Sequence, residues 1–198
     1  TGEVKAISGG RGAKTANLTL NRATNVPRQP GSTFKVISSF APALDTCGAT
    51  LGSVYYDAPY TVGTKTFRNW YSGGYQGYSS IRDGIIYSMN IVAVRCMMET
   101  VTPQLGVEYA KNFGITTLTS SDYNAATALG GLTEGVTNLE LTSAFASIAN
   151  GGLYTKPVFF TKILDHDGKL LIDNEPETHR VLKDSTAFLL TDAMKDSM

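Results

Sequence analysis

Charge is scarce in this sequence: Asp, Glu, Lys and Arg supply 17% of 198 residues, and seventeen basic side chains offset seventeen acidic ones. No stretch concentrates Lys and Arg, which argues against a nucleic-acid partner or a basic patch for an anionic membrane. No apolar run approaches the roughly 18 residues that a spanning helix needs. No signal peptide is seen, because Thr1-Gly2-Glu3-Val4 reads as a strand entrance. Any targeting or anchoring segment is expected outside these residues. Only two cysteines are present, Cys47 and Cys96, and their spacing has no metal-ligand pattern. Two buried thiols are the plainer expectation; a bridge is the alternative, which spacing does not decide. The two histidines, His166 and His179, sit in a turn and a polar stretch without an accompanying G-x-S-x-G, which argues against a Ser-His-Asp arrangement.

Apolar residues make up 42% of the chain and Gly occurs 20 times. That is enough apolar surface for a sizeable core, with many turns and close backbone approaches. Residues 3–9 and 15–20 read as two extended runs around Gly9-Gly10-Arg11-Gly12, which predicts a hairpin. After the break at Arg28-Gln29-Pro30-Gly31, the spacing of Phe34, Ile37, Ala41 and Leu44 predicts a helix. Pro42 is expected to kink that helix or end it early. Residues 46–80, rich in Gly, Tyr, Ser and Asp, read as a long structured loop with short strands, and loops of this length are often functional. Ser79 or Ser80 is a candidate cap for the next helix, with Asp83 in its first turn.

Further on, Pro103 opens a helix that Gly114 closes. Asn138 is expected to cap another, with Thr142, Phe145, Ile148 and Ala149 on one stripe and Gly151-Gly152 at its end. Val158 to Leu164 and Lys169 to Asp173, joined by Asp165-His166-Asp167-Gly168, predict a hairpin, and a last helix starts near Ser185. The order gives an α+β domain, with an antiparallel sheet and helices segregated from it. We divide it into residues 1–30, the N-terminal hairpin of the sheet; 31–152, the mainly helical part; and 153–198, a hairpin and the start of a return to the sheet.

Two short motifs carry chemistry. Ser32-Thr33-Phe34-Lys35 sets a hydroxyl and an amine at i and i+3 of a helix, where side chains meet. A serine hydroxyl needs a base to become a nucleophile. A lysine serves if burial or a neighbouring cation lowers its pKa. The free N–H groups of the helix start suit the oxyanion that attack creates, and Gly31 leaves the backbone open to an acyl substrate. Alone, the motif is ordinary; about one chance match is expected at this length, and a capping Ser beside a solvated Lys is the plain alternative. Ser88-Met89-Asn90 puts a hydroxyl and an amide inside an apolar segment, where they need partners. It reads either as a helix break with local hydrogen bonds or as proton relay and substrate anchor.

The two motifs in this order, 56 residues apart, resemble those of the serine penicillin-recognising enzymes. The flanking Thr1–Gly10 segment, Asn21-Arg22-Ala23-Thr24, Arg28–Lys35, Ser80–Gly84 running to Asn90, and Ala149-Asn150-Gly151-Gly152 resemble the transpeptidase domain of class A penicillin-binding proteins. The resemblance covers essentially the whole chain. It implies a β-lactamase-like α/β fold with an antiparallel sheet packed by helices and an all-helical subdomain. It also implies a D,D-transpeptidase that cross-links peptidoglycan stem peptides at the extracytoplasmic face of the bacterial membrane and is acylated by β-lactam antibiotics. Ser32 is then the nucleophile, Lys35 its base, Ser88 the relay and Asn90 the substrate anchor; no metal or organic cofactor is implied.

The family's third motif, Lys-Thr/Ser-Gly, is absent here; Lys14-Thr15-Ala16 and Lys65-Thr66-Phe67 lack the glycine and precede Ser88. We expect a truncated domain, with the sheet strands that carry this motif, a glycosyltransferase domain and a membrane anchor outside the chain. Trp70, with Tyr71, Tyr75 and Tyr78, either lines a substrate groove or pins the loop by packing. Two other functions share the first two motifs: a β-lactam sensor domain and a β-lactamase. For the latter, Glu108 to Asn112 and Glu134 to Asn138 match the spacing of a deacylating Glu and its Asn, but Thr137 stands where Leu is expected. Capping or solvent exposure explains Glu134 and Glu140 better.

Overall fold

The computed structural model describes residues 2–13 and 15–197. Thr1, Lys14 and Met198 lie outside it, and with them the first residue of the expected strand entrance, one position beside the N-terminal turn and the end of the last helix. The core is helical. Residues 31–45 form one continuous helical segment: a 3-10 turn Gly31–Thr33, a π-helical Val36–Phe40 and an α-helical Ala41–Asp45 (α1). Phe34, Ile37, Phe40 and Ala41 are fully buried, as their spacing requires. Pro42 does not end the helix. The ladder changes instead to the wider i→i+5 pattern one turn earlier, with Ala41 N–H donating to Val36 O. That wider turn absorbs the clash a proline ring makes with the preceding turn.

Around this helix stand Ile81–Ile86 (α2), Asn90–Arg95 (α3) continued by a π-helical Cys96–Val101, Pro103–Asn112 (α4), Asn138–Ala149 (α5) and Asp184–Lys195 (α6). The main core joins Phe34, Phe40, Met89, Val92, Phe113, Ile148, Leu182 and Leu190. The buried Asp45 carboxylate ties three elements together, accepting from Tyr109 Oη at 2.8 Å and Lys183 N at 2.9 Å. Ser80 caps α2 in a reciprocal pair with Asp83. The cap of α5 is Thr137 rather than Asn138, because Thr137 and Glu140 bond each other's backbone N–H groups. Its buried stripe is Ala144, Ser147 and Ile148, while Thr142 and Ala149 face outward.

Among the described residues every strand ladder is antiparallel and two-stranded; two isolated bridges, Glu3–Val158 (parallel) and Arg28–Val136 (antiparallel), lie outside them. Val54–Asp57 (β1) pairs with Gly77–Ser80 (β4), and Tyr60–Val62 (β2) with Lys65–Phe67 (β3). Leu153–Thr155 (β5) pairs with Thr178–Arg180 (β8), and Lys162–Leu164 (β6) with Leu170–Asp173 (β7). The Asp165–Gly168 turn is therefore the predicted hairpin, shorter than expected. The predicted N-terminal hairpin differs. Among the described residues, 3–9 and 15–20 form no ladder; a backbone bond from Arg22 N to Gly9 O closes the region, and Glu3 bridges Val158 instead. Leu18 and Leu20 point to solvent, and a lone two-stranded ribbon without a covering layer is marginal.

Helix α4 packs closely against the π-helical Val36–Phe40 turn through Gly106. A Cβ there would stand 2.5 Å from Ser38 O and 2.8 Å from Met97 Cε. Gly106→Ala is therefore expected to push the two helices apart and lower unfolding free energy by about 1–3 kcal/mol, measured by urea denaturation.

Candidate active site

Ser32 lies in the 3-10 turn that opens the 31–45 helix and is exposed. Gly31 has φ +58°, a left-handed conformation in which L side chains are strained, and nothing stands within 4 Å of where its Cβ would be. Its requirement is thus conformational as well as one of open approach. One turn on, Lys35 is 2% exposed. Its Nζ donates to Ser88 O at 2.6 Å, Ser88 Oγ at 3.0 Å and Asn90 Oδ1 at 2.7 Å. All three donors of the ammonium are used. Burial lowers its pKa from 10.5 to about 8.

The Ser88–Asn90 motif reaches Lys35 because it occupies the break between α2 and α3. Ser88 has φ +51°, a region sparsely visited by non-glycine residues and often found at functional sites. The twist lets its carbonyl and its hydroxyl face the same amine. Asn90 opens α3, and its Nδ2 donates to Arg68 O at 2.9 Å, which orients its oxygen toward Lys35. The structure brings Lys35, Ser88 and Asn90 together. Among the described residues, Ser32 Oγ makes no hydrogen bond to Lys35; the lysine bonds the second motif instead of its partner in the first.

Trp70 is 69% exposed, donates from Nε1 to Tyr87 O at 3.2 Å and meets Tyr71 edge-on. With Tyr71, Gln76, Ile86, Tyr87 and Ser88 it walls a shallow cleft of about 370 Å³. It both pins the loop and lines a groove ending on Ser88. A second cleft of about 360 Å³ lies beside Gly31, with Gln29, Lys65, Phe67 and Gly130 among its walls. Gly130, at φ +71°, lies against Gly31 so closely that a Cβ would stand 2.6 Å from Gly31 N. The Arg68 carbonyl and Gly130 escaped the sequence reading, since neither has a side-chain signature. A larger cavity, about 650 Å³ between residues 2–8 and α5, holds none of Ser32, Lys35, Ser88 or Asn90.

Other polar groups are occupied elsewhere. Glu140 accepts from Thr116 and Thr137, which hold its carboxyl below the usual range against the opposing effect of burial. Glu108 and Glu134 are exposed. His179 Nε2 meets Asn112 O at 2.7 Å, and His166 is exposed in its turn. Cys96 is buried, Cys47 is half-buried, and both are free. Among the described residues no three His, Cys, Asp or Glu side chains gather as a metal site, and no helix is long and apolar enough to cross a membrane.

The sequence matches the family described as "Penicillin binding protein transpeptidase domain" over residues 1–197. It is 35% identical to penicillin-binding protein 1A of Clostridium tetani over 98% of this chain and 26% of that protein. It is 37% identical to penicillin-binding protein 1F of Bacillus subtilis over 96% of this chain and 26% of that protein. The chain thus spans about a quarter of the length of such relatives. The crystal structure of penicillin-binding protein 1A from Haemophilus influenzae superposes with a TM-score of 0.76 at 28% identity, covering 90% of this chain and 31% of that one.

A buried amine of this kind leaves a signature. In the protein with its lysines isotopically labelled, NMR titration is expected to show one lysine with a midpoint near 8. Between about 8 and 10.5 the unfolded chain holds the proton that folded Lys35 has lost. This group's contribution to stability therefore rises with pH across that window. Lysines that all titrate at their ordinary value would contradict the burial argument.

Proposed function

The chain belongs to the penicillin-binding protein transpeptidase family, with its class A members, and on that premise we propose that it carries the acylation centre of a peptidoglycan D,D-transpeptidase. One observation supports this reading above others: a buried lysine amine, clamped by Ser88 and Asn90, one turn below an exposed serine at a helix start. With a pKa of about 8, roughly a tenth of this amine is neutral at pH 7, about two- to three-hundred-fold more than an ordinary lysine. The neutral amine is a base; the ammonium is not.

In this reading Ser32 Oγ attacks the penultimate D-Ala carbonyl of a stem peptide and its proton passes to Lys35 Nζ. The oxyanion forms beside the free N–H groups at the start of the helix, where the backbone dipoles favour negative charge. Collapse breaks the amide bond. The leaving D-Ala nitrogen takes its proton through Ser88 Oγ, which is 3.0 Å from Lys35 Nζ. The serine ester then passes to an acceptor amine. Asn90 orients Lys35 through its oxygen and keeps a second amide N–H for the substrate. The Trp70–Tyr87 cleft takes the peptide on one side of Ser88.

The Lys-Thr/Ser-Gly element, with its cation for the substrate carboxylate, comes in this reading from sequence outside these residues, as do the anchor and any glycosyltransferase domain. The reaction takes place at the extracytoplasmic face of the bacterial membrane. β-Lactams acylate the same serine, and the chemistry calls for no cofactor.

The test uses the complete protein that contains this chain. Labelled benzylpenicillin is expected to form one adduct, mapped to Ser32 by mass spectrometry and lost in Ser32→Ala. Lys35→Ala should acylate at least about a hundred-fold more slowly. The rate constant should rise with pH and level off above about 8, where Lys35 is neutral. Turnover of a D-Ala-D-Ala peptide separates a transpeptidase from a sensor, and loss of the adduct within seconds would indicate a β-lactamase instead.

A further inference from the structure

The catalytic lysine is held by Asn90, and Asn90 is held by a loop whose geometry depends on one carboxylate. Asp57, at the end of β1, is 1% exposed and forms no ion pair among the described residues. A buried carboxylate without a cation must fill its lone pairs with N–H donors. Oδ1 accepts from Asn69 Nδ2 at 2.7 Å and Oδ2 from Gln76 N at 2.9 Å. One side chain thus fastens both ends of the 69–76 loop, whose near end carries Trp70 and Tyr71. The Tyr71 hydroxyl is buried and has no hydrogen-bond partner among the described residues; burial first, then the neighbouring Asp57 carboxylate, raise its pKa.

Asn69 passes the constraint on. Its Oδ1 accepts from Ile91 N at 3.2 Å, one of the free donors at the start of α3. The neighbouring Arg68 carbonyl accepts from Asn90 Nδ2 at 2.9 Å. The 68–69 backbone is therefore stitched to the first two residues of α3, and Asn90 Oδ1 is aimed at Lys35 Nζ as a result. No other side chain among the described residues bonds Asn90.

We propose that Asp57 and Asn69 are positioning residues for the acylation centre: the buried carboxylate sets the Asn69 amide, which sets the start of α3 and hence the Asn90 oxygen that holds Lys35. The inference deepens the transpeptidase reading and rests on it. Its sharpest consequence follows from hydrogen-bond polarity. Asp57→Asn turns an acceptor into a donor facing another donor. Asn69→Asp sets two carboxylates against each other in a buried site. The exchange Asp57→Asn with Asn69→Asp restores every bond: the new amide at 57 donates to the new carboxylate at 69 and still accepts from Gln76 N, and position 69 still accepts from Ile91 N.

The experiment measures the fraction of complete protein that benzylpenicillin can acylate, and the acylation rate constant of that fraction as a function of pH. Each single substitution is expected to slow acylation about ten- to a hundred-fold. Each should also move the acid limb of the profile to lower pH, since Lys35 loses an acceptor that favours its charged form; Ser88 and Asn90 are its only hydrogen-bond partners among the described residues. The exchange should return rate and limb to within about threefold and a few tenths of a pH unit of the unsubstituted protein. A single variant that does not fold counts against the proposal unless the other single, folded, shows the slowed rate and the shifted limb that the exchange restores. Singles as fast as the parent, or a folded exchange as slow as the singles, would overturn the proposal. So would a reduced acylatable fraction with rate and limb unchanged, which assigns the pair to folding alone. No Ser32 adduct in the unsubstituted protein would instead remove the functional reading on which the proposal stands.

Discussion

The site is organised by the burial of one amine. An ammonium in a nearly dry position is costly unless its protons are satisfied, and Lys35 has three acceptors for three donors. Two of them come from one residue, Ser88, whose left-handed backbone turns carbonyl and hydroxyl to the same side. The third is the Asn90 oxygen. Burial and satisfaction act in opposite directions on the proton. Burial leaves a lysine near 8 rather than 10.5, an amine charged enough to sit among acceptors and neutral often enough to take a proton.

That arrangement explains features of the fold that are otherwise unconnected. The 31–45 helix keeps Lys35 inside because Phe34, Ile37 and Phe40 bury its face. The π-helical turn before Pro42 carries the helix past a residue that would otherwise break it. Gly106 lets α4 approach the same stretch of backbone, so the helix carrying the lysine is gripped from two sides. The break between α2 and α3 is where Ser88 presents backbone carbonyl and side-chain hydroxyl together to Lys35. Behind it, Asp57 and Asn69 fasten the loop to α3.

Much of this was legible from the residues. The helix after Gly31 follows from apolar spacing, the start of α2 from Ser80 and Asp83, α4 from Pro103 and Gly114, and the late hairpin from Asp165 to Gly168. The pairing of Ser32-x-x-Lys35 with Ser88-x-Asn90 was visible through family resemblance, and the structure gathers three of those four side chains. The N-terminal hairpin was not legible, because alternation marks extended backbone without naming its partner, and Glu3 takes Val158. The α5 cap was missed by one residue, because Thr and Asn are both good caps and only the reciprocal bond to Glu140 selects Thr137.

The sequence by itself determined the chemical inventory: a hydroxyl and an amine one helical turn apart, a polar interruption in an apolar segment, and no clustering of basic side chains. These are local properties, readable from spacing and side-chain type. The tertiary structure alone decided that Lys35 bonds Ser88 and Asn90 rather than Ser32, that the Arg68 carbonyl orients Asn90, and that Gly130 abuts Gly31. Contacts between residues 22 to 99 positions apart, several of them made through backbone carbonyls and glycines, have no periodicity in the sequence. Only the packed helices bring them within hydrogen-bond reach.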